Sequence, residues 1–140
     1  MAGIHFLFED FKNLIDLNIG LFERIDDNST ESFTIVHCDF YDIKSDSLQE
    51  AVENIFRTTD SIVNYKSDYF FILPYTDKIG ANKVKKMIQE FYERNLDFCM
   101  VSYPKDGENS QTLLEELRVV ASSKYKNDLR CLDSFITYGF

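Results

Sequence analysis

D-S-I-V-N-Y-K-S-D-Y-F-F-I-L-P-Y, running from Asp60 to Tyr75, holds two apolar, β-rich runs. These are Ser61 to Tyr65 and Tyr69 to Tyr75, on either side of the polar pair Ser67-Asp68. β-Branched and aromatic residues suit a pleated, half-buried surface, and a short polar break lets the chain fold back on itself. Pro74, which has no N–H to give to a ladder, closes the second run. The spacing predicts a β-hairpin. Upstream, Arg57-Thr58-Thr59-Asp60 ends a helical pattern, and downstream Thr76-Asp77 opens the next.

Working outward, Phe8 to Ile25 repeats apolar residues with a helical period, and Gly20 weakens that helix without ending it. Phe33 to Tyr41 is nearly continuous in β-branched and aromatic residues, as a buried central strand is. His37 lies inside it with no second histidine near in sequence, which favours a structural role over a metal-ligand one. Ser45-Asp46-Ser47 offers N-cap chemistry for a helix from Leu48 to about Thr58. Ile79 to Asn95 reads as a helix with Ile79, Val84, Met87, Ile88, Phe91 and Tyr92 along one stripe and lysines on the other face. Phe98 to Tyr103 is a strand stopped by the turn Pro104 to Gly107, Ser110 caps a further helix, and Phe135 to Tyr138 is read as a last strand. Helices and strands alternate except at the hairpin, so the expected fold is α/β, with a mixed sheet of about five strands flanked by helices. The whole chain, residues 1–140, reads as a single domain.

Composition narrows the function. A hydrophobic content of 44% with 13 Phe and 8 Tyr implies a packed core rather than disorder. The net charge of −9 repels polyanions, so nucleic acid is not an expected partner. The one basic cluster, Lys83, Lys85 and Lys86, reads as a solvated helix face. Three cysteines without metal-ligand spacing, two of them (Cys38 and Cys99) within apolar runs, suit a reducing compartment. No apolar run reaches the length of a membrane span, and the first residues lack the basic-then-apolar order of a signal peptide. A cytoplasmic protein without membrane contact is expected.

The order and spacing around Asp60 to Tyr75 resemble the signature hairpin of GGDEF domains, the diguanylate cyclase family, with the likeness strongest over residues 33–125. The five signature positions here are Lys66, Ser67, Asp68, Tyr69 and Phe70, of which only the third and fifth keep the family residue. The resemblance implies a palm-like fold related to nucleotidyl cyclases. It matches Asp39, in Asp39-Phe40-Tyr41-Asp42-Ile43-Lys44, and Asp68 to the family's metal-binding carboxylates. Cyclase chemistry, however, needs glycines that let backbone approach GTP and clustered carboxylates around divalent metal. Lys66 and Ser67 replace the glycines and Tyr69 replaces the signature glutamate. The family's guanine-binding stretch has no room between Lys44 and the next helix. No diguanylate cyclase activity and no cofactor are therefore expected, and two carboxylates alone would hold Mg²⁺ only weakly. Asp39 and Asp68 read as relics of a metal site.

One family pattern persists. Arg57-x-x-Asp60 stands five residues (Ser61 to Tyr65) before the signature, at the offset of the family's product-inhibition site. There the resemblance implies a site for cyclic di-GMP, with Arg57 and Asp60 as ligands, supported by Lys66 and the Lys83-Lys85-Lys86 cluster. The alternative is a helix-end arginine beside a turn aspartate. The expected role is regulatory, in cyclic di-GMP signalling, through a protein partner or self-association. Two further readings stand beside it: a cyclic di-GMP receptor, and a cyclase completed by a partner subunit.

Overall fold

The hairpin forms as β3 (Ser61–Tyr65) and β4 (Asp68–Pro74), joined by a two-residue turn at Lys66-Ser67. Asp68, expected in the turn, is the first residue of β4 and pairs with Tyr65. In the computed structural model, residues 3–25 and 29–136 are described. β2 (Glu31–Asp39) is central, antiparallel to β4 on one side and to β5 (Phe98–Pro104) on the other. A two-residue strand, β1 (Ile4–His5), adds to β3 in parallel and makes the sheet mixed, in the order β1-β3-β4-β2-β5. It is too short to leave a period in the sequence. A Cβ on Gly3 would sit 2.9 Å from the Asp60 carbonyl, so only glycine lets the chain enter this edge so closely.

Helices cover both faces. α1 (Phe11–Glu23) and α4 (Ser110–Tyr125) lie with Phe33, Ile35, Phe70, Ile72 and Val101 in one core cluster. On the second face Val36, Cys38, Phe71, Leu73 and Phe98 pack with α2 (Ser45–Ile55) and α3 (Lys78–Tyr92). Adjacent residues of one strand thus feed two cores, which is why β2 reads as a continuous apolar run. The β2-α2-β3-β4-α3-β5 series is a split βαβ arrangement. With four helices flanking five strands it is consistent with the palm-like α/β fold expected.

Several boundaries differ from expectation. Phe8–Asp10 is a 3₁₀ turn, and the α-helix begins only at Phe11. α2 starts after Lys44, so Ser45 is its first residue and not its cap. The same helix ends at Ile55, because Phe56 turns extended and stacks its ring on Phe71 at 4.5 Å. Asn109 caps α4 in place of Ser110, its side chain accepting from the Thr112 N–H at 2.8 Å. The apolar stripe of α3 is only partly buried: Ala81 and Ile88 face the core, while Ile79, Met87 and Phe91 are exposed. Arg130–Ser134 forms a 3₁₀ turn that brings Phe135 against Phe8 at 5.1 Å, and of the expected last strand Phe135 and Ile136 are not extended into one. Thr137 and Tyr138 lie outside the described residues. No helix among the described residues is long and apolar enough to cross a membrane.

Candidate functional site

Alternation along β4 sorts the residues that follow the turn. Lys66, in the left-handed region at φ 54°, and Ser67 make the turn. Asp68 and Phe70 point to the α1/α4 face, where Phe70 packs on Phe11 at 4.9 Å. Tyr69 points to the other face and meets Phe40 edge-on at 5.1 Å. Asp39 and Asp68 are direct cross-strand partners, so their side chains share one face at the strand ends.

Both carboxylates have donors from the chain itself. Asp39 Oδ1 accepts from the Tyr41 N–H at 2.9 Å. Asp68 Oδ1 accepts from His37 Nε2 at 2.8 Å and from Asn127 Nδ2 at 3.3 Å. A carboxylate partner fixes the tautomer with the proton on Nε2. His37 is only 1% exposed, and its Nδ1 finds no partner among the described residues. The expected structural histidine is there, but it is satisfied on one nitrogen only.

Asn127 reaches Asp68 because of how α4 ends. Lys126 adopts the left-handed conformation, and the Asn127 N–H bonds back to Ala121 O at 3.3 Å, which turns the chain toward the strand ends. Leu129, also left-handed and buried, then anchors the segment in the core, and Arg118 donates to its carbonyl at 3.0 Å. The result is an open cleft of about 580 Å³, walled by Asp39, Lys66, Asp68 and Asp97 on one side and by residues 125–131 on the other. Burial, with the Asp68 charge adding to it, pushes the Cys131 thiol up to about 12, which leaves it protonated and a poor nucleophile at neutral pH. No group of three or more His, Cys, Asp or Glu among the described residues is placed to hold a metal ion.

The Arg57 corner lies at the other end of β3. Five strand residues separate it from the Lys66 turn, roughly 16 Å at the rise of an extended chain. Lys66 is therefore too far away to support a ligand at Arg57, contrary to expectation. Arg57 and Asp60 close a tight turn, with the Asp60 N–H on Arg57 O at 3.0 Å. Asp60 is 3% exposed. Its Oδ2 accepts from the Arg57 N–H at 2.8 Å and its Oδ1 from Arg57 Nη2 at 3.1 Å. The same Nη2 donates to Pro74 O at 2.7 Å and to Thr76 Oγ1 at 3.1 Å. The guanidinium, whose side chain is 53% exposed, opens on a cleft of about 480 Å³. Glu31, Asp60 and Asp77 line that cleft with it, and none of Lys66, Lys83, Lys85 and Lys86 does. Glu31 and Asp77 already accept from the first N–H groups of α3, at 3.2 and 2.8 Å.

The structure thus brings Asp39 to Asp68 and Arg57 to Asp60, and it separates the two pairs. Sequence reading missed Asn127, Leu129 and Cys131 at the tip. Asn127 meets Asp68 across 59 positions, and no local spacing signals such a contact. No family model matches this chain, and no curated protein matches it either.

Proposed function

We propose that this chain is a catalytically inactive GGDEF-like domain with a regulatory role, acting through protein contacts or self-association in cyclic di-GMP signalling. The observation that carries this reading is the state of the hairpin tip. Bulky Lys66 and Ser67 occupy the turn, and the donors around Asp39 and Asp68 are Tyr41, His37 and Asn127 of the same chain. Carboxylates held this way already have donors from the chain, and the Tyr69 phenol that stands in place of a catalytic carboxylate is packed on the other side of the sheet. A domain without working chemistry acts by what it touches. The test is incubation of pure protein with GTP and either Mg²⁺ or Mn²⁺. No cyclic di-GMP is expected. Product that disappears in Asp39→Ala would overturn the reading in favour of a cyclase.

A second reading, a cyclic di-GMP receptor at Arg57, has one observation in its favour. The guanidinium is half exposed beside an open cleft, and its Nε and Nη1 make no hydrogen bond within the described residues. Three carboxylates on the same cleft oppose a doubly charged ligand. Titration of wild type and Arg57→Ala with cyclic di-GMP decides. Micromolar binding lost in a variant that remains folded by circular dichroism would establish the receptor.

A further inference from the structure

α1 and α3 lie on opposite faces of the sheet, and each leaves a row of large apolar side chains in solvent. On α1 these are Leu17 and Leu21, 58% and 53% exposed and four residues apart, so they form one ridge along the helix. On α3 the ridge of the same period runs Ile79, Lys83, Met87, Phe91, with Ile79 71% exposed. Isolated exposed leucines need no explanation, but two aligned ridges on opposite sides of a small domain do.

The charges around the ridges are opposite. α3 carries four lysines against one glutamate, in a chain of net charge −9. The stretch from Phe8 through Arg24, the C-cap of α1, carries four acidic residues against Lys12 and Arg24. Asp16 and Glu23 enter no ion pair among the described residues, and neither do Lys83 and Lys86. A ridge paired with its own copy would set like charge against like. α1 of one molecule against α3 of another joins apolar to apolar and acid to base.

Resting on the reading of the chain as an interaction module, we infer that its partner includes a second copy of itself, joined head to tail through the α1 ridge of one molecule and the α3 ridge of the next. Such a heterologous contact leaves a free α1 at one end and a free α3 at the other, so assembly continues past the dimer. A single helix-on-helix contact is smaller than the roughly 800 Å² per partner of a lasting complex, so growth is reversible, driven by concentration and weakened by salt.

Sedimentation across a concentration series, at low and high salt, reads this directly. The wild type should show an average mass that rises beyond the dimer and falls with salt. Leu21→Asp and Met87→Asp should each be monomeric alone. Mixed, they should give a one-to-one dimer and nothing larger, because one intact α1–α3 pair remains. Lys83→Glu combined with Lys86→Glu alters only exposed charges and should weaken association about tenfold or more. A wild type that stays monomeric or stops at a dimer overturns the inference, as does association that survives in either apolar variant. The interaction reading itself is tested by the turnover assay and the cyclic di-GMP titration, neither of which reads association, so the two can fail separately.

Discussion

Asp60 at the start of β3 has 3% of its surface in solvent and both carboxylate oxygens bonded, whereas Asp68 at the far end of the hairpin keeps 24% of its side chain exposed and uses one oxygen. The two carboxylates came from similar sequence contexts, each a polar residue beside a β run. One closes a turn on the backbone N–H of Arg57, and its loss would leave that N–H without an acceptor. The other receives side chains that arrive from distant elements and can be changed one at a time. A carboxylate that serves the backbone belongs to the frame, and one that serves side chains borders a surface that evolution can refit.

Three substitutions sharpen or break this contrast. Asp60→Ala should cost the most, about 3 kcal/mol, because it strips the acceptor from a part-buried N–H and one of three acceptors from the guanidinium. The midpoint and slope of urea unfolding check this. A loss below about 1 kcal/mol would show that the corner is not part of the frame and would strengthen the receptor reading. Asp68→Ala should cost less, about 1–2 kcal/mol, by leaving the buried His37 Nε2–H without its acceptor on a ring whose Nδ1 has no donor among the described residues. A cost equal to that of Asp60→Ala would erase the distinction between the two ends.

Asp39→Ala should be nearly silent, within about 0.5 kcal/mol, since it loses one bond to the N–H of an exposed residue. The same residue tests the metal. Calorimetry with Mg²⁺ should give heats that are weak and alike in wild type, Asp39→Ala and Asp68→Asn. Tight binding abolished by either variant would mean that the tip still works as a metal site.

The hairpin was legible because its information is local. Two β runs, a two-residue break and Pro74 specify where the chain turns, and Ser61 to Tyr65 formed with the predicted bounds. The side-chain alternation that separates Asp68 from Tyr69 was equally available, since neighbours on a strand face opposite ways. Helix ends were less legible. Ser110 looked like a cap, but Asn109, one residue earlier, has the extended backbone that lets its side chain reach the Thr112 N–H. The exposed half of the α3 stripe could not be separated from the buried half, because periodicity places residues on a face without saying how much of that face is covered.

Sequence alone thus determined the alternating elements, the hairpin, and the presence of Asp39, Asp68, Arg57 and Asp60 at strand ends, because each follows from short-range pattern and backbone preference. Only the tertiary structure decided what those residues do. It spent Asp60 on its own turn, set acidic neighbours around Arg57, and brought Asn127 onto Asp68 from the far end of α4. Such contacts depend on how helices dock on the sheet and on where the chain turns back after them. Those are sums over many distant packing interactions, and no single stretch of sequence contains them.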